Sequence, residues 1–260
     1  MAHAREILLG TRFELDQFIN FRPVRCFSDE LCPLKNWKAS DIDFVVFREN
    51  TEGLYVGVGG IFKKGTADEI AIQEQINTRK GVERIIRAAF EFAKSRGRRR
   101  VTMADKSNAL RFGHDLWLRT FAEVSAEYPE IQSDQIYIDA LAMALIRDPS
   151  EFDVIVTCNL FGDIITDLGA QLQGGMGMAG SGNINPEGTS MFEPVHGSAP
   201  DIVGKDVANP FAAILTVAMM LEHVGEAPSA ERIERAVRAC LAAKESTIEV
   251  GGNLGTRATG

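Results

Sequence analysis

The stretch DVIVTCNLFGDIITDL, residues 153–168, decides the fold class. Its first six residues, DVIVTC, are the short apolar run of a buried strand. The residues that follow change period. Asp163 and Asp167 stand four apart, so a helix starting near Gly162 carries both carboxylates on one face. A strand feeding a helix is the repeating unit of an α/β protein, and the same unit returns in both directions along the chain. Upstream, DIDFVVF (41–47) and VTMAD (101–105) read as buried strands, and EIAIQEQIN (69–77) as a half-exposed one. VERIIRAAFEFAKSRG has helical spacing and ends on Gly97 as a C-cap. A long helical region follows through FGHDLWLRTFAEV and IDALAMALI. The opening AREILLGTRFELDQF is an amphipathic helix running into NFRPVR, where Pro23 holds its predecessor extended. Downstream, Asn209 and Pro210 are the cap and first residue of a helix through FAAILTVAMMLEHVG. Ser229 begins a last helix through ERIERAVRACLAAKE, and GGNLGTRATG closes the chain without a further element.

A chain of 260 residues with 45% hydrophobic and 25% charged residues holds one large or two ordinary globular domains. A net charge of −8 argues against nucleic acid or an anionic membrane as partner. Cys26, Cys32, Cys158 and Cys240 are scattered rather than paired, which suits a reducing, cytoplasmic setting. The opening residues lack the charged, apolar, small-residue order of a signal, and the longest apolar stretch, Phe211 to Leu221, is too short to span a bilayer. No repeat and no clean linker occurs, so two domains would have to share interleaved segments. The chain opens on a helix with no strand ahead of it. Either a partner covers that helix or the chain is incomplete at both ends, and incompleteness is the expectation.

Several residues could carry chemistry. Asp163 and Asp167 repel unless a cation lies between them, which suits a hard ion such as Mg²⁺ or Mn²⁺; the alternative is a pair of solvated helix acids. Arg12 and Arg22 bracket a helix end and a turn, and Arg48 follows a strand in FVVFRENTEGLY. Guanidinium forks bind carboxylates bidentately, so converging arginines suit a diacid, although each alone reads as a surface group, Arg25 above all. Tyr55 sits in a Gly-containing loop where its phenol could donate a proton or simply pack. Lys106 follows the strand VTMAD, at the strand end where α/β sites collect, or is an exposed loop lysine. Asp139 lies among apolar residues and could be an N-cap. FEPVHGSAPDIVGKDVANP packs Gly, Ser, Asp, His and Asn around a turn, and by spacing alone is a polar loop before a helix in which His196 is structural.

In order, the chain carries R-x9-R ending in NFRP, RENTEGLY, DKSNAL, YIDALAM, NLFGDIITDL and EPVHGSAPDIVGK-x3-NP. Six motifs in this order resemble the β-decarboxylating dehydrogenases of the isocitrate/isopropylmalate family, from about Ile7 to the end. The resemblance implies a two-domain α/β fold with interleaved domains. Residues 18–173 form a central substrate, metal and dimerisation domain with a β arm around residues 50–78. Residues 1–17 and 174–260 form a partial cofactor domain whose first strands are missing. It implies NAD-dependent oxidative decarboxylation of a 2-hydroxy diacid. Arg12, Arg22 and Arg48 clamp its carboxylates, and Leu8 and Leu9 flank its side group. Asp163 and Asp167 resemble ligands of Mg²⁺ or Mn²⁺, joined by Asp139 from the other subunit of a homodimer with shared active sites. Lys106, also contributed across the dimer, assists deprotonation of the substrate hydroxyl, and Tyr55 protonates the enolate. His196, Gly197, Ser198, Ala199, Asp201, Ile202 and Asn209 match the cofactor's adenosine loop, where Asp201 favours NAD over NADP by accepting from the ribose 2′-OH. Among substrates, Leu8 and Leu9 favour 3-isopropylmalate, and Glu6 disfavours isocitrate, whose enzymes have serine there. RENTEGLY, KSN and Ala109 lean toward tartrate/D-malate or homoisocitrate. The chain departs from the pattern at Arg5, where an acid is usual, and at Gly180, where proline is usual. A non-catalytic truncated subunit is the competing reading.

Overall fold

The computed structural model describes residues 2–260, with side chains from residue 7 onward, so the side chains of Arg5 and Glu6 lie outside the described residues. Helix α1 (Ala2–Glu14) leads into strands β1 (Ile19–Arg25) and β2 (Asp43–Glu49). A separate hairpin follows, β3 (Gly59–Phe62) with β4 (Ile70–Gln73), then α2 (Arg79–Ser95), β5 (Arg100–Asp105), α3 (Arg111–Ser125), β6 (Gln132–Tyr137) and α4 (Ile138–Arg147). The unit β7 (Val154–Thr157) to α5 (Asn159–Leu172) comes next, then β8 (Gly180–Ile184), β9 (Met191–Pro194), α6 (Phe211–His223), α7 (Ala227–Ala243) and the single turn α8 (Thr256–Thr259).

Seven strands form one mixed sheet in the order β6-β5-β7-β2-β1-β8-β9. The first four are parallel, whereas β1, β8 and β9 are each antiparallel to their inner neighbour. Side-chain alternation gives the sheet two faces. On the back, Val45, Phe47, Val101, Met103, Val154 and Val156 pack against α2 and α3. On the front, Phe44, Val46, Ala104 and Ile155 pack against α4 and α5. Burying such a side chain contributes about 1.5–3 kcal/mol, so the two cores hold the sheet between helical layers. Met178, Phe211, Leu215, Val237, Leu241 and Val250 form a third core around α6 and α7.

Local signals explain the element ends. Thr78 Oγ1 accepts from Gly81 N–H and caps α2, and Gly97 beyond its end takes φ +63°. Helix α6 starts at Phe211 with Pro210 in the cap position, one residue later than the Asn-Pro pair predicts, and Asn209 Oδ1 accepts from Phe211 N–H at 3.0 Å. Glycine sets the closeness of α5: a Cβ on Gly162 would lie 2.5 Å from Arg48 Cγ, and one on Gly169 2.7 Å from Val24 Cγ2.

Four further sequence expectations are corrected. The helical region between VTMAD and DVIVTC is interrupted by β6, whose QSDQIY lacks apolar alternation because it is an edge strand with little to bury. Helix α5 starts at Asn159 rather than near Gly162, directly after the strand. Helix α7 starts at Ala227, before Ser229, with Pro228 in its first turn. The chain ends in α8 rather than without an element, its Thr256 Oγ1 donating to Ala208 O at 2.6 Å. Strands β8 and β9 have no period-2 apolar signal either, since one face of β8 carries two glycines before Ile184 and the other serine and asparagine. Among the described residues, no helix is long and apolar enough to cross a membrane.

Candidate active site

Three elements aim arginines at one cleft. Arg12 ends α1, Arg22 lies on the front face of β1, and Arg48 lies beside it on the front face of β2. All three are buried, Arg48 to 1% exposure. Arg12 Nη2 donates to Glu193 Oε1 at 3.1 Å. Arg22 donates to Thr166 Oγ1 of α5 and lies 3.6 Å from Asp163 Oδ1. Arg48 donates through Nε and Nη2 to Asn159 Oδ1, at 3.0 and 2.7 Å, and through Nη1 to Asp163 Oδ1 at 2.5 Å. Asn159 in turn donates to Glu52 O at 3.0 Å, which ties the loop carrying Tyr55 to the start of α5. The Tyr55 hydroxyl donates to Asp163 Oδ2 at 2.6 Å, and its ring lies 5.3 Å from the Arg48 guanidinium.

The cleft measures about 490 Å³ and is lined by these arginines, Tyr55, Asp163 and Glu193, with Leu8 and Leu9 on one wall and His196 and Gly197 on another. Three guanidiniums against two carboxylates leave one positive charge in excess. Burial pushes the Arg22 pKa down, and the neighbouring Arg48 and Arg12 push it further. Burial and Arg12 lower Arg48 in the same way. Such a cluster gains from an anion that supplies the missing negative charge. Burial opposes the charge on Asp163, yet Arg48, Tyr55 and Arg22 hold its carboxyl below the usual range. Burial and the charge of Asp163 raise Asp167, one helical turn further on. Burial and the hydrogen bond to Asp163 keep the Tyr55 proton on, as a proton donor requires.

The remaining sequence candidates fall elsewhere. Lys106 Nζ and Asp139 Oδ1 pair at 2.7 Å at the ends of β5 and β6, and neither lines the cleft. Lys106 is set by His114, whose Nδ1 accepts the Lys106 backbone N–H at 3.0 Å, and burial keeps this imidazole neutral. Gly197 and Ser198 are exposed, Ala199 takes the left-handed φ +41°, and Asp201 stands exposed on the turn Pro200–Ile202. Asn209 is buried and spends its side chain on α6 and on Met178 Sδ, at 3.6 Å from its amide. Arg25 points to the back face and pairs with Glu234. Among the described residues, no three His, Cys, Asp or Glu side chains converge on a common point as metal ligands would. Sequence reasoning passed over Glu193, Asn159, Thr166 and His114. Glu193 and Asn159 stand inside quoted motifs, and their role depends on which strand or helix lies beside them.

An α/β sheet here presents three buried arginines and the helix carboxylate Asp163 to one small cleft with a surplus of positive charge. The isocitrate/isopropylmalate dehydrogenase family matches residues 2–260, and the chain belongs to that family of decarboxylating dehydrogenases. It is 49% identical over 265 residues to the 3-isopropylmalate dehydrogenase of Frankia casuarinae, covering 98% of this chain and 77% of that protein. It is 52% identical over 257 residues to that of Corynebacterium efficiens, covering 96% and 75%. Among solved structures, isocitrate dehydrogenase from Methylococcus capsulatus matches with a TM-score of 0.90 at 40% identity, over 98% of this chain and 74% of that one. The TT0538 protein of Thermus thermophilus matches at 0.89 and 37% identity, over 97% of this chain and 50% of that one.

Proposed function

We propose that this chain catalyses NAD-dependent oxidative decarboxylation of a 2-hydroxy diacid, with 3-isopropylmalate the preferred substrate. The observation that carries the reading is the set of three buried arginines converging on a cleft with Asp163 and Tyr55. The named relatives, near half identical, supply the choice of acid. Leu8 and Leu9 on the cleft wall suit an apolar side group.

Asp163 and Asp167 fit a divalent cation. Both are oxygen donors, and the charge of Asp163 already raises Asp167, a repulsion that a hard dication relieves. They would hold Mg²⁺ or Mn²⁺ together with Asp139 of a second copy of the chain. When bound, such an ion acidifies a hydroxyl it contacts and stabilises an oxyanion. The residues after β9 fit a dinucleotide: Gly197 leaves open space, and the exposed Asp201 can accept from ribose hydroxyls and repels a 2′-phosphate. NAD, when bound, accepts the hydride.

The chain's own residues do the rest. Arg12, Arg22 and Arg48 bind and orient the two carboxylates. Tyr55, held protonated beside Asp163, delivers a proton to the carbon that loses CO₂. Lys106 and Asp139 stand apart from the cleft of their own chain, which agrees with the family resemblance that assigns them to the cleft of a second copy in a homodimer. The separate core around α6 and α7 supports a cofactor domain of residues 1–17 and 174–260 beside a central domain of residues 18–173.

The test is NADH absorbance with NAD, Mn²⁺ and, separately, 3-isopropylmalate, D-malate, tartrate and isocitrate. The expected result is turnover that EDTA abolishes and that is fastest with 3-isopropylmalate. A folded protein silent on all four acids overturns the proposal.

A further inference from the structure

Behind the arginine cleft lies a buried network of amides, Asn20, Asn50 and Asn183, none of which lines the cleft. Asn183, on the front face of β8, is fully buried and does not line the cleft. Its Oδ1 accepts two hydrogen bonds, from Asn20 Nδ2 and Asn50 Nδ2, each at 3.0 Å. Its Nδ2 donates to Glu193 Oε1 at 2.8 Å, the same oxygen that accepts from Arg12 Nη2 at 3.1 Å.

The places of these partners in the chain give the network its meaning. Asn20 precedes Arg22 by two residues on β1, and Asn50 follows Arg48 by two residues at the end of β2, so each shares the front face with its arginine. Glu193 is the anchor of Arg12. Asn183 is therefore one side chain bonded to all three arginine-bearing segments: α1 through Glu193, β1 through Asn20, and β2 through Asn50. Asn20 Nδ2 also reaches Ser181 Oγ at 2.8 Å, and Asn50 Nδ2 reaches Gln17 O at 2.9 Å, which leaves neither amide free to follow a displaced Asn183. Away from water these bonds are costly to leave unmade, so the arrangement has little slack.

We infer that Asn183 is a positioning residue that fixes the mutual placement of Arg12, Arg22 and Arg48 and so sets affinity for the diacid. The inference rests on the functional reading above. Only a carboxamide serves here, because the site needs an acceptor toward two amides and a donor toward a carboxylate. An aspartate would keep the acceptor and set a second negative charge against Glu193. That would turn Glu193 away from Arg12.

The experiment compares N183D with the double variant N183D/E193Q, in which donor and acceptor are exchanged and the bond is restored. For N183D the expected result is a KM for 3-isopropylmalate raised about 10- to 100-fold, the worth of one charge-assisted hydrogen bond, with kcat and the KM for NAD within about threefold. The double variant recovers at least half of that loss on a logarithmic scale, whether or not N183D alone folds well. Titration calorimetry of 3-isopropylmalate with Mn²⁺ gives the same comparison without turnover. An N183D protein with unchanged diacid affinity, or a double variant no better than the single, overturns the inference. A wild type that binds the diacid but makes no NADH counts against the catalytic reading instead.

Discussion

The front and back faces of strands β1, β2 and β8 carry alternate residues of the same segments, yet their chemistry is opposite. On the front stand Asn20, Arg22, Arg48, Ser181 and Asn183, nearly every one bonded to a named partner. On the back, Phe21 and Phe47 meet Phe92 of α2 with ring centroids 5.3 and 5.2 Å away, and a larger cleft of about 670 Å³ is lined by these rings, Ile184 and Met219 together with charged residues such as Arg25, Arg98 and Glu234. The comparison shows that cleft size does not locate chemistry. The arginines of the larger cavity, Arg25, Arg96 and Arg98, are each paired with an acid beside them, whereas the smaller one gathers three guanidiniums, a phenol and only two carboxylates. A two-residue period lets one sheet hold both without mixing them, since a single-residue slip would exchange every side chain between faces.

Substitutions on the two faces should therefore separate activity from stability. The largest effect is expected on the front. Tyr55→Phe removes the proton donor and should lower kcat about 10²- to 10⁴-fold at an unchanged melting temperature. A fall below tenfold in steady-state assays would remove Tyr55 from the chemistry. Phe47→Ala on the back face should cost about 3–5 kcal/mol by urea unfolding, because Phe47 is 3% exposed among aromatic neighbours. The KM for diacid of its folded fraction should stay within about threefold of wild type; a large rise would show that the two faces are coupled.

Glu49 sharpens the comparison, because it follows the back-face parity of β2 and brings a carboxylate to the apolar side. Burial pushes its pKa up to about 7 from an ordinary 4.5, against the bonds that Thr51 and Glu52 donate to it. Its folded-state pKa is above the unfolded one, so the native state holds the proton longer. Stability should then fall as pH rises from about 4.5 to about 7, by about 3 kcal/mol in all. Glu49→Gln should abolish that decline, and parallel wild-type and variant curves of stability against pH would refute it. The smallest effect belongs to Arg25→Ala. Its partly exposed pair with Glu234 should be worth under about 1 kcal/mol, measured by the same unfolding assay, with no change in KM.

Legibility in the sequence followed the same division. The apolar runs that became β2, β5 and β7 and the helical periods of α2 and α5 were readable, because buried elements must be apolar at the period of their geometry. Strands β6 and β8 were not, since an edge strand and a strand of glycine and asparagine have no such pattern. Arg12, Arg22, Arg48, Tyr55 and Asp163 were singled out from motifs, and the structure brings them to one cleft. Glu193 and Asn183 escaped notice because a carboxylate and an amide in a loop-like stretch become informative only when their partners, 181 and 163 residues away in the chain, are known.

By itself the sequence determined the α/β class, the family and the residue types available for binding a dianion, because these depend on local period and on motif order. The tertiary structure alone decided which face each strand turns to the helices, that three arginines from α1, β1 and β2 share one cleft, and that Lys106 and Asp139 stand outside it. Those facts depend on strand order and register, which arise from packing between segments far apart in the chain and leave no local trace.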